Sequence, residues 1–262
     1  MELAIAPDRV AEAEYWPGAA DMPAILILHG FLQTREFPTV RRLAESLADE
    51  GFSVLTPSLT LGLNQRRQSL ACEAIHTHSL EQDVAELNAW VVWLASHAGK
   101  APVVVGHSTG GVQLAAMLDS EAMTPIAQAI VIGVAAFGQA EGAVDLSNAR
   151  SRAAGAVEQG NVKLGTYPLG FCKEYVTTGG AFLSYIAWDG ARLEAALIRS
   201  AVPVAVIFGE KDDRVQPASL QALQGGGVTV RGIPGAGHFF DLAHEFDLLD
   251  EVVDVITETG RG

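Results

Sequence analysis

The chain has 262 residues, 49% of them hydrophobic, and a formal net charge of −14. That supplies enough apolar material for one large α/β domain with an insertion, or for two small domains, and argues against disorder. The acidic balance argues against nucleic acid or anionic membrane as a partner, because gripping phosphates takes clustered Lys and Arg.

Residues 2–5 and 9–16 partly alternate and end at Trp16-Pro17-Gly18, the pattern of an antiparallel edge ribbon. Ala24 to Leu28 is a continuous apolar run, expected of a strand buried on both faces, and it stops at His29-Gly30-Phe31-Leu32. Val40, Leu43, Ala44, Leu47 and Ala48 recur at helical spacing up to Gly51. Phe52 to Leu55 reads as the next strand, ended by Pro57. Residues 58–78 read as a polar, solvated loop holding Arg66, Arg67, His76 and His78. Leu80, Val84, Leu87, Val91 and Leu94 then mark a long helix. A strand at 101–105, a helix at 112–118 and a buried strand at 130–134 continue the alternation, which implies a mostly parallel, doubly wound sheet.

The rhythm breaks over residues 138–200. This segment holds Tyr167, Phe171, Tyr175, Phe182, Tyr185 and Trp188, and its six acidic and six basic residues cancel, so the rest of the chain carries the whole −14. The expected organisation is therefore a core of residues 1–137 and 201–262 with residues 138–200 as an inserted cap. Val204 to Phe208 resumes the sheet, Pro217 opens a helix closed at Gly225-Gly226-Gly227, and a strand at 228–233 precedes the last helix at Leu242 to Ile256.

Cys72 and Cys172 are expected to be two reduced thiols. The first ten residues lack the basic start and apolar stretch of a signal peptide, and no apolar run approaches the roughly 20 residues of a membrane span. The expectation is a soluble cytoplasmic protein; its oligomeric state stays open.

The chemistry centres on Gly106-His107-Ser108-Thr109-Gly110. A G-x-S-x-G between a strand and a helix makes a sharp turn that exposes the serine hydroxyl at a helix N-terminus, where developing negative charge is favoured. A serine becomes a nucleophile only when a base takes its proton, and the base is oriented by a carboxylate. Ligands of parallel sheets lie beyond the carboxyl ends of strands. Two post-strand turns supply partners: Gly209-Glu210-Lys211-Asp212-Asp213 and Pro234-Gly235-Ala236-Gly237-His238. The base is His238; the acid is Asp212 or its neighbour Asp213, which cannot both face the histidine. The oxyanion donors are expected to be the N–H groups of Thr109 and Phe31, and His29 and His107 are read as structural.

With these residues in place, the chain resembles the α/β-hydrolase superfamily, in particular its small esterases, lipases and monoacylglycerol-lipase-like enzymes. The resemblance rests on His29-Gly30-Phe31, the elbow from Gly106 to Gly111, Gly209 to Asp212 and Gly235 to His238. It spans nearly the whole chain, with 138–200 in the place of the variable cap. It implies a serine hydrolase that needs no cofactor, and its G-x-x-D turn selects Asp212 over Asp213.

The expected activity is hydrolysis of a carboxylic ester of a small, uncharged, apolar or aromatic substrate. A thioesterase, amidase, carbon–carbon hydrolase or acyltransferase would use the same residues, and a ligand-binding receptor without turnover could retain them. The cap aromatics either line an acyl or aryl pocket or form the cap's own core. Tyr185 and Trp188, at i and i+3, are the candidate substrate-binding pair. His76-x-His78 with Glu73 could hold a metal, but no further ligands accompany them, and no metal is expected.

Overall fold

The structure, a computed structural model, describes residues 1–120, 124–137 and 146–259. In chain order its elements begin with strands β1 (Glu2–Ala6), β2 (Arg9–Trp16) and β3 (Ala24–Leu28), helix α1 (Pro38–Asp49), β4 (Ser53–Ser58) and the two-residue strand β5 (Ile75–His76). Helix α2 (Leu80–Ala98), β6 (Val103–His107), α3 (Thr109–Leu118), β7 (Gln128–Ile132) and α4 (Leu146–Glu158) follow. Then come β8 (Leu164–Leu169), β9 (Cys172–Thr178), α5 (Gly179–Ile186), α6 (Gly190–Ile198), β10 (Val204–Gly209), α7 (Pro217–Gly225), β11 (Thr229–Ile233) and α8 (Glu245–Thr259).

Eight strands form one sheet in the order β1-β2-β4-β3-β6-β7-β10-β11. The first two pairings, β1 with β2 and β2 with β4, are antiparallel; the rest are parallel. The two-residue period of a strand sorts its apolar side chains to opposite faces. Ile25, Ile27, Val103, Val105, Ile130 and Ile132 meet α1 and α8 on one face. Leu26, Leu28, Val104 and Val131 face α2, α3 and the segment 146–197 on the other. Burial of such side chains contributes about 1.5–3 kcal/mol each, which is why the central strands read as unbroken hydrophobic runs.

Helix boundaries follow local chemistry. Pro38 stands at the start of α1, where its missing N–H costs nothing. Ser79 caps α2 through a reciprocal box with Gln82, and Gly99, at φ +66°, ends it. Pro57 does not end its strand: it lies within β4 opposite Ala13 of β2. Pairing with β3 stops at Leu55, so the proline removes no donor from that ladder.

Residues 58–78 are not a solvated loop. Arg66, His76 and His78 are buried, and β5 joins a second sheet, parallel to β9, which is itself antiparallel to β8. The pairing of Ile75 with Val176 and His76 with Thr177 draws two distant segments together, and Cys72 and Cys172 form a disulfide across a sequence separation of 100. The expectation of reduced thiols is thereby corrected; a reading along the chain could not register that approach.

Of the expected insertion, residues 138–145 lie outside the described residues. The remainder holds α4, the β8–β9 hairpin and α5, while α6 packs against α3 and α7 in the helical layer beside the sheet. No described helix is long and apolar enough to cross a membrane.

Candidate active site

Ser108 lies between β6 and α3 with φ 55° and ψ −122°, a strained conformation for a residue with a side chain. The glycines around it permit the turn. A Cβ on Gly106 would lie 2.5 Å from the carbonyl carbon of Gly110, and one on Gly110 would lie 2.7 Å from the His29 carbonyl oxygen. The Ser108 N–H donates to the Ile132 carbonyl at 2.8 Å, tying the turn to the neighbouring strand.

The turns after β10 and β11 bring two partners to it. His238 Nε2 lies 3.0 Å from Ser108 Oγ, and His238 Nδ1 lies 2.7 Å from Asp212 Oδ2. An ionised carboxylate only accepts, so Nδ1 carries the proton and Nε2 is left to accept from the serine hydroxyl. The Asp212 side chain is fully buried, and its other oxygen accepts the Arg214 N–H at 3.1 Å. Asp213 points elsewhere, onto the cavity wall.

Thr109 is the first residue of α3, so its N–H is one of the four that an α-helix leaves unpaired at its start. Among the described residues neither the Thr109 N–H nor the Phe31 N–H has a protein acceptor. The loop carrying Phe31 is held from behind. The Leu59 N–H donates to His29 Nε2 at 3.1 Å, so His29 carries its proton on Nδ1, 2.9 Å from the Gly30 carbonyl. Burial, with the Arg66 guanidinium nearby, pushes the His29 pKa down to about 3, so the ring stays neutral. The bond from its Nδ1–H fixes the Gly30–Phe31 peptide. Arg66 lies behind it, donating to the Leu59 carbonyl at 2.7 Å and the Gln33 carbonyl at 2.6 Å. Sequence reasoning placed Arg66 in a solvated loop and missed this role.

His107 is buried and its pKa falls to about 4, first through burial and then through the neighbouring His238. Its neutral ring donates from Nε2 to the His238 carbonyl at 3.1 Å, which braces the turn that carries His238.

Above Ser108 lies a cavity of about 510 Å³. Phe31, Phe37, Phe137, Phe171 and Phe239 give it an aromatic wall, and Gln33, Asp213 and Gln216 add polar points. Of these phenylalanines the sequence named Phe31, for its N–H, and Phe171, among the cap aromatics that could line a pocket; adjacency to His238 was an available signal for Phe239.

Tyr185 and Trp188 do not line this cavity, which corrects the pair expected to touch substrate. Tyr185 sits behind Phe137, ring centroids 5.1 Å apart, and its hydroxyl donates to Asp83 Oδ2 and lies 2.7 Å from His78 Nδ1. His78 Nδ1 also lies 2.9 Å from Asp83 Oδ1, and Gln113 donates to Asp83 Oδ2 at 2.7 Å. Burial pushes the Tyr185 pKa well up, so the hydroxyl remains a donor. Trp188 faces a different cavity, of about 420 Å³, bordered by Leu80, Val84 and Met117, with the Arg192 guanidinium 4.2 Å from its ring centroid. Helix α5 ends at Ile186, so Trp188 lies beyond it and the two rings do not share one helix face. His76 stacks on Tyr175 at 4.1 Å, and no group of three or more His, Cys, Asp or Glu among the described residues is arranged to hold a metal ion.

A parallel sheet with a strained serine turn and an acid–base pair beyond its strand ends defines a hydrolase of the α/β type. The model of the Alpha/beta hydrolase family matches residues 25–255, and the chain belongs to this family. Solved structures of similar fold include Est1E from Butyrivibrio proteoclasticus, at 16% identity and TM-score 0.69, covering 100% of this chain and 99% of that one. Another is the thioesterase domain from the curacin biosynthetic pathway, at 16% identity and TM-score 0.66, covering 97% of this chain and 98% of that one. A third is the monoacylglycerol lipase of Paleococcus ferrophilus, at 16% identity and TM-score 0.65, covering 95% of this chain and 99% of that one. At these identities the likeness is one of fold. No curated protein matches the sequence.

Proposed function

We propose that the protein is a serine hydrolase cleaving carboxylic esters whose acyl or alcohol part is small, uncharged and apolar or aromatic. The observation that carries this reading is the unbroken chain from Ser108 Oγ through His238 to the buried Asp212, 3.0 and 2.7 Å, at the floor of a phenylalanine-lined cavity.

In this mechanism Ser108 Oγ attacks the ester carbonyl while His238 Nε2 takes its proton. Asp212 holds the productive tautomer and stabilises the imidazolium. The carbonyl oxygen becomes an oxyanion that accepts from the Thr109 and Phe31 N–H groups. The arrangement His29-to-Gly30, backed by Arg66, keeps the second donor aimed at that oxygen. Protonation by His238 releases the alcohol, and water, activated by the same base, cleaves the acyl-enzyme. A cavity wall of five phenylalanines favours apolar or aromatic groups. The cytoplasmic placement expected from the sequence rested on the lack of a signal-peptide-like start and of a membrane-span-length run, beside reduced thiols; a disulfide between Cys72 and Cys172 instead fits an oxidising compartment.

The test is a fluorophosphonate probe with a panel of p-nitrophenyl esters and thioesters of graded acyl groups. Covalent labelling at Ser108 together with turnover of an ester is the expected result. Labelling without turnover of any member would favour a binding role for the same fold.

A further inference from the structure

Phe171 stands at the tip of the β8–β9 hairpin, half exposed, and lines the cavity above Ser108 together with Gly170. Its ring meets Phe31 edge-on at 5.5 Å, the residue whose N–H faces the reacting oxygen in the mechanism above. The next residue, Cys172, is bonded to Cys72. We propose that Phe171 is a specificity-determining wall of the acyl or alcohol pocket, and that the Cys72–Cys172 disulfide is the latch that holds it there. The proposal rests on reading Ser108 as the nucleophile of an ester hydrolase.

The hairpin alone gives the tip little support. Its last paired residues are Leu169 and Cys172, and the register shifts between Tyr167 and Leu169. The backbone pairing with β5 comes at Val176 and Thr177, and Tyr175 stacks on His76 at 4.1 Å, three or more residues from the tip. Gly170, at φ +57°, and Phe171 therefore project beyond the sheet. A half-exposed aromatic ring on a two-residue tip depends for its position on the residues that flank it and on its edge contact with Phe31.

The disulfide supplies an anchor, and its other end is well held. The Leu70 N–H donates to the Leu32 carbonyl at 2.9 Å, and Arg66 donates to the Gln68 carbonyl at 2.9 Å while also holding Gln33. His76 Nε2 lies 3.1 Å from the Ala71 carbonyl and 3.3 Å from that of Cys72. The segment that carries Cys72 is thus bound to the loop that carries Phe31. Through one covalent bond, Phe31 and Phe171 share an anchor, and the spacing between these two walls is set.

The latch opens by thiol–disulfide exchange with a dithiol. Cys172 is buried and Cys72 is partly exposed, so the attacking thiolate reaches the Cys72 sulfur. A bond forms between that sulfur and the dithiol, and Cys172 leaves as a thiolate that takes a proton. The dithiol's second thiol then closes its own ring disulfide and releases Cys72 as a thiol. One protein disulfide is reduced and one dithiol oxidised.

The test compares four forms: wild type and Phe171→Ala, each oxidised and dithiothreitol-reduced, with thiols counted and folding followed by circular dichroism. The reading is the ratio of kcat/KM for p-nitrophenyl phenylacetate to that for p-nitrophenyl acetate. Phe171→Ala should lower the ratio about tenfold or more, the scale of a lost hydrophobic pocket contact. Reducing the wild type should lower it about threefold or more in the same direction, and reducing Phe171→Ala should change it no further. The double variant Cys72→Ser/Cys172→Ala should match the reduced wild type. An unchanged ratio in Phe171→Ala would overturn the wall. A reduction effect equal in both backgrounds, or none once two thiols are counted, would overturn the latch. Unfolding of both the reduced protein and the double variant would also overturn it, since the bond would then hold the fold rather than the tip. The affinity of a naphthyl methyl ketone for the same four forms reads the wall without chemistry. If no ester is turned over, the function proposed above fails, while a tenfold weaker ketone in Phe171→Ala still supports the wall.

Discussion

Ser108, Asp212 and His238 stand in turns that follow β6, β10 and β11, and each is placed by the strand that it ends. The roof above them is assembled otherwise. Residues 58–78 and 146–188 meet through β5 and β9, the His78–Asp83–Tyr185 cluster and a disulfide, all spanning about a hundred residues. The two regions also treat their polar groups differently. On the floor, a strained serine and two N–H groups without protein acceptors among the described residues lie beside a cavity. In the roof, the buried His78 and Tyr185 bond to each other and to Asp83. The floor keeps hydrogen-bonding capacity for a ligand, whereas the roof uses it to hold itself together.

The sharpest way to break that comparison is to remove the Ser108 hydroxyl, the nucleophile of the proposed function. Ser108→Ala should lower kcat by about 10⁴ to 10⁶ with no loss of melting temperature, because the hydroxyl supports chemistry rather than packing. Retention of a tenth of wild-type ester turnover would end the assignment. Next in size is Asp212→Asn, which leaves His238 Nδ1–H facing an amide. Its expected cost is about 10⁴ in kcat, against less than about threefold for Asp213→Asn on the cavity wall. The reverse order in kcat/KM would move the acid to Asp213.

This difference between floor and roof also explains what was legible beforehand. The turn at Ser108 is written in five consecutive residues, because glycines at 106 and 110 are the only ones that fit the close approach to the helix and to the His29 carbonyl. Asp212 and His238 follow apolar runs that any parallel sheet would bury. The central sheet was readable for the same reason, down to the edge ribbon of β1 and β2. The roof offered no such local signature. His76 and His78 look like residues of a polar loop until Tyr175 and Tyr185, a hundred residues on, cover them. Cys72 and Cys172 look like separate thiols until β5 pairs with β9. Tyr185 and Trp188 carry a helical spacing, but the helix stops at Ile186, and the spacing does not show where it ends.

The roof has its own tests. Tyr185→Phe keeps the ring against Phe137 but removes the hydroxyl from Asp83 and His78. A buried hydrogen bond to a charged partner is worth about 1.5–3 kcal/mol, so the urea midpoint should fall accordingly. All esters should be affected equally, since the hydroxyl does not reach the cavity. A changed ratio between aromatic and short esters would show that the roof's interior tunes the floor through Phe137.

An effect on stability alone, and only at high pH, concerns Glu86 on α2, buried beneath residue 60 of the roof. It accepts from the Thr60 N–H at 2.8 Å and from the Thr60 hydroxyl at 2.6 Å. Burial pushes its pKa up from an ordinary 4.5 to about 7; Asp83 adds to the rise, and Thr60 and Arg66 oppose it. The folded chain therefore holds a proton that the unfolded chain releases near pH 4.5. Between about pH 4.5 and 7 the folded state binds more protons, so this group's contribution to stability declines as pH rises through that window. Glu86→Gln keeps an acceptor for the Thr60 N–H and has no proton to lose. The variant should match the wild type near pH 4.5 and exceed it at pH 8 by up to about 3 kcal/mol, read from urea midpoints at the two pH values. Should Glu86→Gln instead lose stability at pH 8 relative to the wild type, the carboxylate would be ionised and paired electrostatically with Arg66. The anchor of the Phe31 loop would then extend to α2, and the division between a self-contained roof and a ligand-facing floor would have to be redrawn at Arg66.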